Sequence, residues 1–269
     1  MDKNHFLCLL PLSLRSGDVR GEEEDTMKAA ELLPNLFHVG PSLDCGPLPS
    51  IFYFALSGPD SLFLDPFNQP VQFLEGKWIR IFSMTLPAHE EGLSPTNALS
   101  LWADDISKGR DPLRTFFEEA LQAIDTVIQK KWADPHKMGL AGLSRGGFVA
   151  SHLAAEEERF KAILQFAPLT SLSKAKDFET IAHHPLVQNL DVLHLAKKLA
   201  NRRIRFYIGN KDTRVHTQSC FDFAMNLVEH STLRSPQIEL IMTPSIGQMG
   251  HGTSPEAFRQ GIEWLADNL

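Results

Sequence analysis

Met138-Gly-Leu-Ala-Gly-Leu-Ser-Arg-Gly-Gly-Phe-Val-Ala150 is the stretch that decides the fold. An apolar run enters Gly142-x-Ser144-x-Gly146, and an apolar, helix-like run leaves it. This pattern puts a serine at the apex of a sharp strand-to-helix turn, with a strained backbone and an exposed hydroxyl. The neighbouring residue types follow from that geometry. A Cβ at Gly142 or Gly146 would collide with a crossing strand or helix, and Gly147 lets the helix lie close on a sheet. Alone, the five-residue pattern is common enough to be a glycine-rich turn without chemistry. It gains meaning only from what stands elsewhere in the chain.

Two later segments supply partners. Arg203-Ile-Arg-Phe-Tyr-Ile208 reads as a strand and runs into Gly209-Asn-Lys-Asp212-Thr-Arg-Val215. That spacing sets an acid on a tight loop at a strand's carboxyl end, ahead of the next helix. Ile238-Glu-Leu-Ile-Met-Thr243 reads as a further strand and runs into Pro244-Ser-Ile-Gly-Gln-Met-Gly-His251-Gly-Thr. Glycines on both sides leave His251 free to reach across the sheet's edge toward the serine. The chain order Ser144, Asp212, His251 differs from the orders of chymotrypsin and subtilisin. Serine, acid and histidine, each on its own post-strand loop, point to nucleophilic catalysis.

Composition bounds the rest. A chain of 269 residues fits a single domain of α/β size and buries a substantial core, and 43% hydrophobic content is ordinary for a globular protein. Net charge is −7, from 26 basic and 33 acidic residues. No basic cluster stands out, so nucleic acid is not an expected partner; Lys197-Lys198 and Arg202-Arg203 read as a solvated helix end. Cys8, Cys45 and Cys220 are odd in number and far apart, which reads as free thiols in a reducing, cytoplasmic setting. No 18-residue apolar run exists, so no membrane span is expected. The apolar stretch at residues 5–14 is broken by Pro11 and lacks a small-residue cleavage site, which reads against a secretory leader. Residues 1–30 read as a dispensable tail, with Met27 an alternative start.

From about residue 35, strand and helix patterns alternate, which predicts a mostly parallel sheet covered on both faces. Ile51-Phe-Tyr-Phe-Ala-Leu56 is continuous enough for a central strand, and Trp78-Ile-Arg-Ile-Phe82 and Lys161-Ala-Ile-Leu-Gln-Phe166 read as further strands. Apolar positions recur with helical spacing over 112–131, and the stretch 255–269 reads as a closing helix. Residues 170–201 are polar and helical in pattern with no strand of their own.

With these residues in place, the chain resembles the α/β-hydrolase superfamily over roughly residues 35–269. The Gly-Leu-Ser-Arg-Gly-Gly turn and Gly-x-x-Asp-x-x-Val are most similar to the dienelactone-hydrolase and prolyl-oligopeptidase-like branch. The resemblance implies an α/β-hydrolase fold: one domain over 31–269, a mostly parallel central sheet with helices on both faces, and a small helical lid at about 170–201. It implies Ser144 as nucleophile, His251 as general base and Asp212 as the group that orients the imidazole. Dienelactone hydrolase carries cysteine at the nucleophile position; serine here favours ester-type acyl transfer. No β-propeller precedes the domain in this sequence, so the gate of the prolyl oligopeptidases is not expected. The oxyanion hole is where the match thins. One backbone donor is expected at Arg145. The usual His-Gly loop is replaced by Ala55-Leu-Ser57-Gly58-Pro59-Asp60, and since Pro59 has no N–H, Ser57 is the expected second donor, with Leu56 next.

The implied activity is a serine hydrolase cleaving a carboxylic ester or related acyl bond, with no cofactor and no metal, acting on a small-molecule substrate. A small serine peptidase, an acyltransferase, and a non-catalytic binding homologue stay open as alternatives, and the oligomeric state is left open. Four other features have simpler readings. Asp65-Pro-Phe-Asn68-Gln69-Pro is read as a helix cap in preference to a pocket wall. The Arg145 side chain is read as one half of a structural ion pair in preference to a contact with an acidic substrate group. Glu156-Glu157-Glu158 is read as a solvated helix end, and His183-His184 lacks further ligands at metal-binding spacing.

Overall fold

The computed structural model describes residues 30–269. The expected tail at 1–30, the alternative start at Met27 and Cys8 therefore lie, apart from residue 30, outside the described residues. Eight strands form one sheet: β1 (Ala30–Leu33), β2 (Leu36–Val39), β3 (Leu48–Phe54), β4 (Arg80–Met84), β5 (Ala133–Leu143), β6 (Phe160–Phe166), β7 (Arg203–Gly209) and β8 (Ile238–Thr243). Their order is β1-β2-β4-β3-β5-β6-β7-β8. β2 is antiparallel to both neighbours, and all pairings from β4 through β8 are parallel. The expected mostly parallel sheet is thus present, with an antiparallel hairpin at one edge, turned at Asn35 (φ 62°). Strand β4 starts two residues later than Trp78 suggested, because Trp78 is half exposed while the residues from 80 to 84 are all buried.

Nine helices fill the connections among the described residues: α1 (Gly58–Phe63), α2 (Gln69–Gln72), α3 (Ala98–Ser107), α4 (Arg114–Gln129), α5 (Arg145–Glu156), α6 (Pro185–Asn189), α7 (Ala196–Leu199), α8 (Thr217–His230) and α9 (Pro255–Asp267). Alternation along each strand divides the core. In β3, Phe52 and Phe54 face a large cluster with Trp102 of α3, Ile124 of α4, Phe148 of α5 and Phe223 of α8. Ile51 and Tyr53 face a smaller one with Leu62 of α1 and Phe258 and Ile262 of α9. Helix α4 starts where the Asp111 carboxylate accepts from the Leu113 and Arg114 N–H groups, a cap that satisfies two otherwise orphan donors.

Residues 170–201 differ from the expected lid. They form short helical turns, α6 and α7 among them, but Leu172, Phe178, Val187, Val192 and Leu199 are fully buried in the larger cluster. None of this segment lines the pocket at Ser144. Its polar residues lie mostly on the outer side, with Thr170, Ser171 and Asp191 buried among the apolar ones, and the segment is a packed part of the domain. Within it His184 caps α6 through Nδ1, accepting from the Leu186 N–H. Two further expectations are corrected. Glu157 is buried and paired with Arg159, while Glu156 pairs with Lys198. Cys220 is free and buried, but Cys45 is disulfide-bonded, so the reading of three free thiols does not hold. No helix among the described residues is long and apolar enough to cross a membrane.

Candidate active site

Ser144 stands between β5 and α5 with φ 56° and ψ −113°, a conformation forced by the turn. Its N–H donates to the Phe166 carbonyl at 2.9 Å, and its carbonyl accepts from the Leu169 N–H at 3.0 Å, so β6 pins the turn from the side. The glycines do what their spacing predicts. A Cβ on Gly146 would lie 1.9 Å from the Phe54 carbonyl oxygen of β3, and one on Gly142 would lie 2.3 Å from the backbone of Gly146.

Asp212 follows β7, with its side chain wholly buried. One oxygen, Oδ1, accepts from the Arg214 and Val215 N–H groups at 2.9 and 3.0 Å, which fixes the loop. The other, Oδ2, lies 2.7 Å from His251 Nδ1. His251 comes from the loop after β8, and its Nε2 lies 2.9 Å from Ser144 Oγ. Ser144, His251 and Asp212 are thereby joined in one hydrogen-bonded chain. The two loops lock backbone to backbone. Gly250 (φ 74°) is so close to Lys211 that a Cβ would approach its carbonyl oxygen to 2.3 Å. The Thr213 N–H and hydroxyl both donate to the Met249 carbonyl, at 2.9 and 3.1 Å. Burial, and then the Asp212 charge, push the neighbouring Cys220 thiol far up, so it is a neutral packing group.

Ser144, Arg145 and His251 open onto a cavity of about 450 Å³. Its walls include Leu56, Leu64, Phe67, Leu143 and Phe258. The Asp65–Asn68 segment reads differently from the expected cap: Pro66 and Phe67 line the cavity, and Asn68 precedes α2 without a side-chain capping bond. Tyr53 of β3 holds that wall in place, donating to the Phe67 carbonyl at 2.6 Å. At the turn after β3, the Ala55 and Leu56 N–H groups point at Ser61 Oγ, at 3.2 and 3.0 Å. Ser57 caps α1, accepting from the Asp60 N–H. It lies on an adjoining cleft that shares Asp60 and Pro95 with the cavity, while Ala55 and Leu56 line the cavity itself.

Arg145 is buried, at 7% exposure, and its expected ion pair is not formed among the described residues. Its Nη1 donates to the Pro95 carbonyl instead. His89, buried nearby, is held down to about 4 by burial and by the Arg145 charge, and so is neutral. Reading the sequence missed Ser61, Tyr53, Thr213 and Arg214 as parts of this site. Of these Thr213 and Arg214 carried a signal, standing one and two residues after Asp212 in the loop already singled out.

The sequence profile of the prolyl oligopeptidase family matches residues 102–269. No curated protein matches the chain in sequence. Among solved structures, TT1662 from Thermus thermophilus is similar with a TM-score of 0.64 at 18% identity, over 86% of this chain and 92% of that one. A cold-adapted esterase from an Arctic intertidal metagenomic library gives 0.62 at 18% identity, over 87% and 88%. The acylaminoacyl peptidase of Pyrococcus horikoshii gives 0.61 at 17% identity, over 86% of this chain but only 38% of its own. The shared feature is the α/β-hydrolase fold, with its open sheet and a crevice at the strands' carboxyl ends.

Proposed function

The chain belongs to the prolyl oligopeptidase family, and on that premise we propose that it is a serine hydrolase cleaving a carboxylic ester or related acyl bond. The observation that carries this reading is the unbroken chain from Ser144 Oγ through His251 to Asp212. In the proposed mechanism His251 Nε2 accepts the Ser144 proton as Oγ attacks the acyl carbonyl. Asp212 holds the proton on Nδ1 and stabilises the imidazolium that forms. The oxyanion is held by the Arg145 N–H, first of α5, and by the turn after β3. On that turn Leu56 lines the cavity and Ser57 lies on the adjoining cleft, so the Leu56 N–H, released from Ser61 Oγ as the oxyanion forms, is assigned as the second donor in place of the expected Ser57. The leaving alcohol takes the proton back from His251. Water, activated by the same nitrogen, then releases the acid.

The likeness to the Arctic esterase, at a TM-score of 0.62, supports the ester reading. The peptidase likeness supports a second reading, cleavage of short acyl-peptides. Turnover of short 4-nitrophenyl esters against aminoacyl amides separates the two. The primary test is a fluorophosphonate probe, which is expected to label the wild type and not Ser144→Ala. Labelling that survives in Ser144→Ala removes Ser144 as the nucleophile. No labelling of the wild type and no turnover of any activated ester would favour a binding protein instead.

A further inference from the structure

The cavity wall at Ser144 carries two arginines that form no ion pair with a carboxylate among the described residues. Arg145 has Nε buried without any hydrogen-bond partner, and only the Pro95 carbonyl accepts from its Nη1. Asp177, whose charge reaches Arg145, is engaged by the Ser100 hydroxyl. Arg214 lines the same cavity, and its guanidinium has no hydrogen bond or ion pair among the described residues. The two cations feel each other: burial and then the Arg214 charge push Arg145 down to about 10.

A buried, unpaired guanidinium is unfavourable, and a second one beside it more so. A pair that served folding alone would be expected to carry a carboxylate between its members. Here both residues stand on the wall of the cavity at Ser144. A guanidinium fork suits a carboxylate in shape and charge. Asp60 is the single acidic side chain on the wall, at the corner shared with the adjoining cleft, so two positive charges face one negative. The remainder of the wall, with Leu56, Leu64, Phe67 and Phe258, suits an apolar body.

Resting on the serine-hydrolase reading above, we propose that Arg145 and Arg214 bind a carboxylate carried by the substrate. The preferred substrate is then an acyl compound with an apolar body and one acidic end. The pair mono-4-nitrophenyl adipate and 4-nitrophenyl hexanoate tests this, because the two share leaving group and chain length and differ by a carboxylate in place of a methyl group. The wild type is expected to favour the adipate at least about tenfold in kcat/KM, equivalent to about 1.4 kcal/mol. The preference should reside in KM and weaken with added salt. In Arg214→Ala the ratio should fall toward one, Arg214→Lys should keep part of it, and Arg214→Glu should reverse it. Thermal melting of each variant identifies those that fail to fold. A ratio near one in the wild type, or a ratio that survives in Arg214→Ala, overturns the proposal and leaves the hydrolase reading standing if hexanoate is cleaved. If neither ester turns over but the probe labels Ser144, protection by monomethyl adipate against methyl hexanoate makes the same comparison. Equal protection overturns the proposal. No turnover and no labelling sink both readings.

Discussion

Replacing Asp212 by Asn separates the two jobs that its carboxylate does. Oδ1 holds its own loop through the Arg214 and Val215 N–H groups, and Oδ2 faces His251 Nδ1 at 2.7 Å. In Asp212→Asn the amide oxygen takes the Oδ1 position and keeps both loop bonds. The amide nitrogen then faces Nδ1 and donates to it. Nδ1 must accept, so the imidazole proton moves to Nε2, which lies 2.9 Å from Ser144 Oγ. A protonated Nε2 accepts no proton from serine. The expected loss in kcat is about 10⁴, or roughly 5 kcal/mol of transition-state stabilisation. Stability should fall by no more than about 1 kcal/mol, since no buried N–H is orphaned. Asp212→Ala is the control: it leaves the Arg214 and Val215 N–H groups without their acceptor, at about 1–3 kcal/mol each. The assay pairs 4-nitrophenyl acetate turnover with urea unfolding for the wild type and both variants. If Asp212→Asn retains turnover within about tenfold of wild type, or destabilises as much as the alanine variant, the division of labour between the two oxygens is wrong.

Two further outcomes are expected. Gly146→Ala would set its Cβ 1.9 Å from the Phe54 carbonyl oxygen, a clash of backbone that no rotamer relieves, so a loss above about 4 kcal/mol is expected in urea unfolding. A loss below about 1 kcal/mol would show that β3 and α5 separate easily. His89 and His152 both sit at about 4, below the usual 6.5, each chiefly because burial disfavours the charged ring. Folded pKa values below the unfolded ones leave stability unaffected above pH 6.5 and lower it as pH falls from 6.5 to 4. At pH 5 the loss is about 2 kcal/mol per histidine. His152→Phe, placed between Phe117 and Phe148, should therefore flatten the stability profile between pH 7 and 5. An unchanged slope would place the ring in a wetter setting.

Those parts of the site that obey local rules were legible in the sequence. The Ser144 turn, the Asp212 loop and the His251 loop each announce themselves by glycines next to an apolar strand, and strands β7 and β8 begin where the pattern puts them. What failed was what depends on distant neighbours. The polarity of 170–201 suggested a lid, yet every few residues an apolar side chain such as Phe178 or Val187 reaches the core. The sequence suggests a structural ion pair for Arg145, but its acceptor, the Pro95 carbonyl, is fifty residues away and invisible to spacing. Phe67 became a cavity wall because Tyr53, on another element, binds its carbonyl. The donor pattern at residues 55–57 depends on Ser61 turning back from α1, which no motif encodes.

The union of the Asp212 and His251 loops through glycine backbone and the Thr213 hydroxyl has a consequence for how this enzyme can be changed. Alignment of the Ser144, His251 and Asp212 side chains draws on no side chain of the 62–67 or 95–96 segments, which form part of the cavity wall. The apolar part of the wall is thus a piece of chain separate from the three aligned side chains, whereas Arg145 and Arg214 stand beside Ser144 and Asp212 themselves. On the proposed acyl-transfer reading, libraries confined to those two wall segments are expected to alter which acyl groups are admitted while Ser144, His251 and Asp212 keep their own supports.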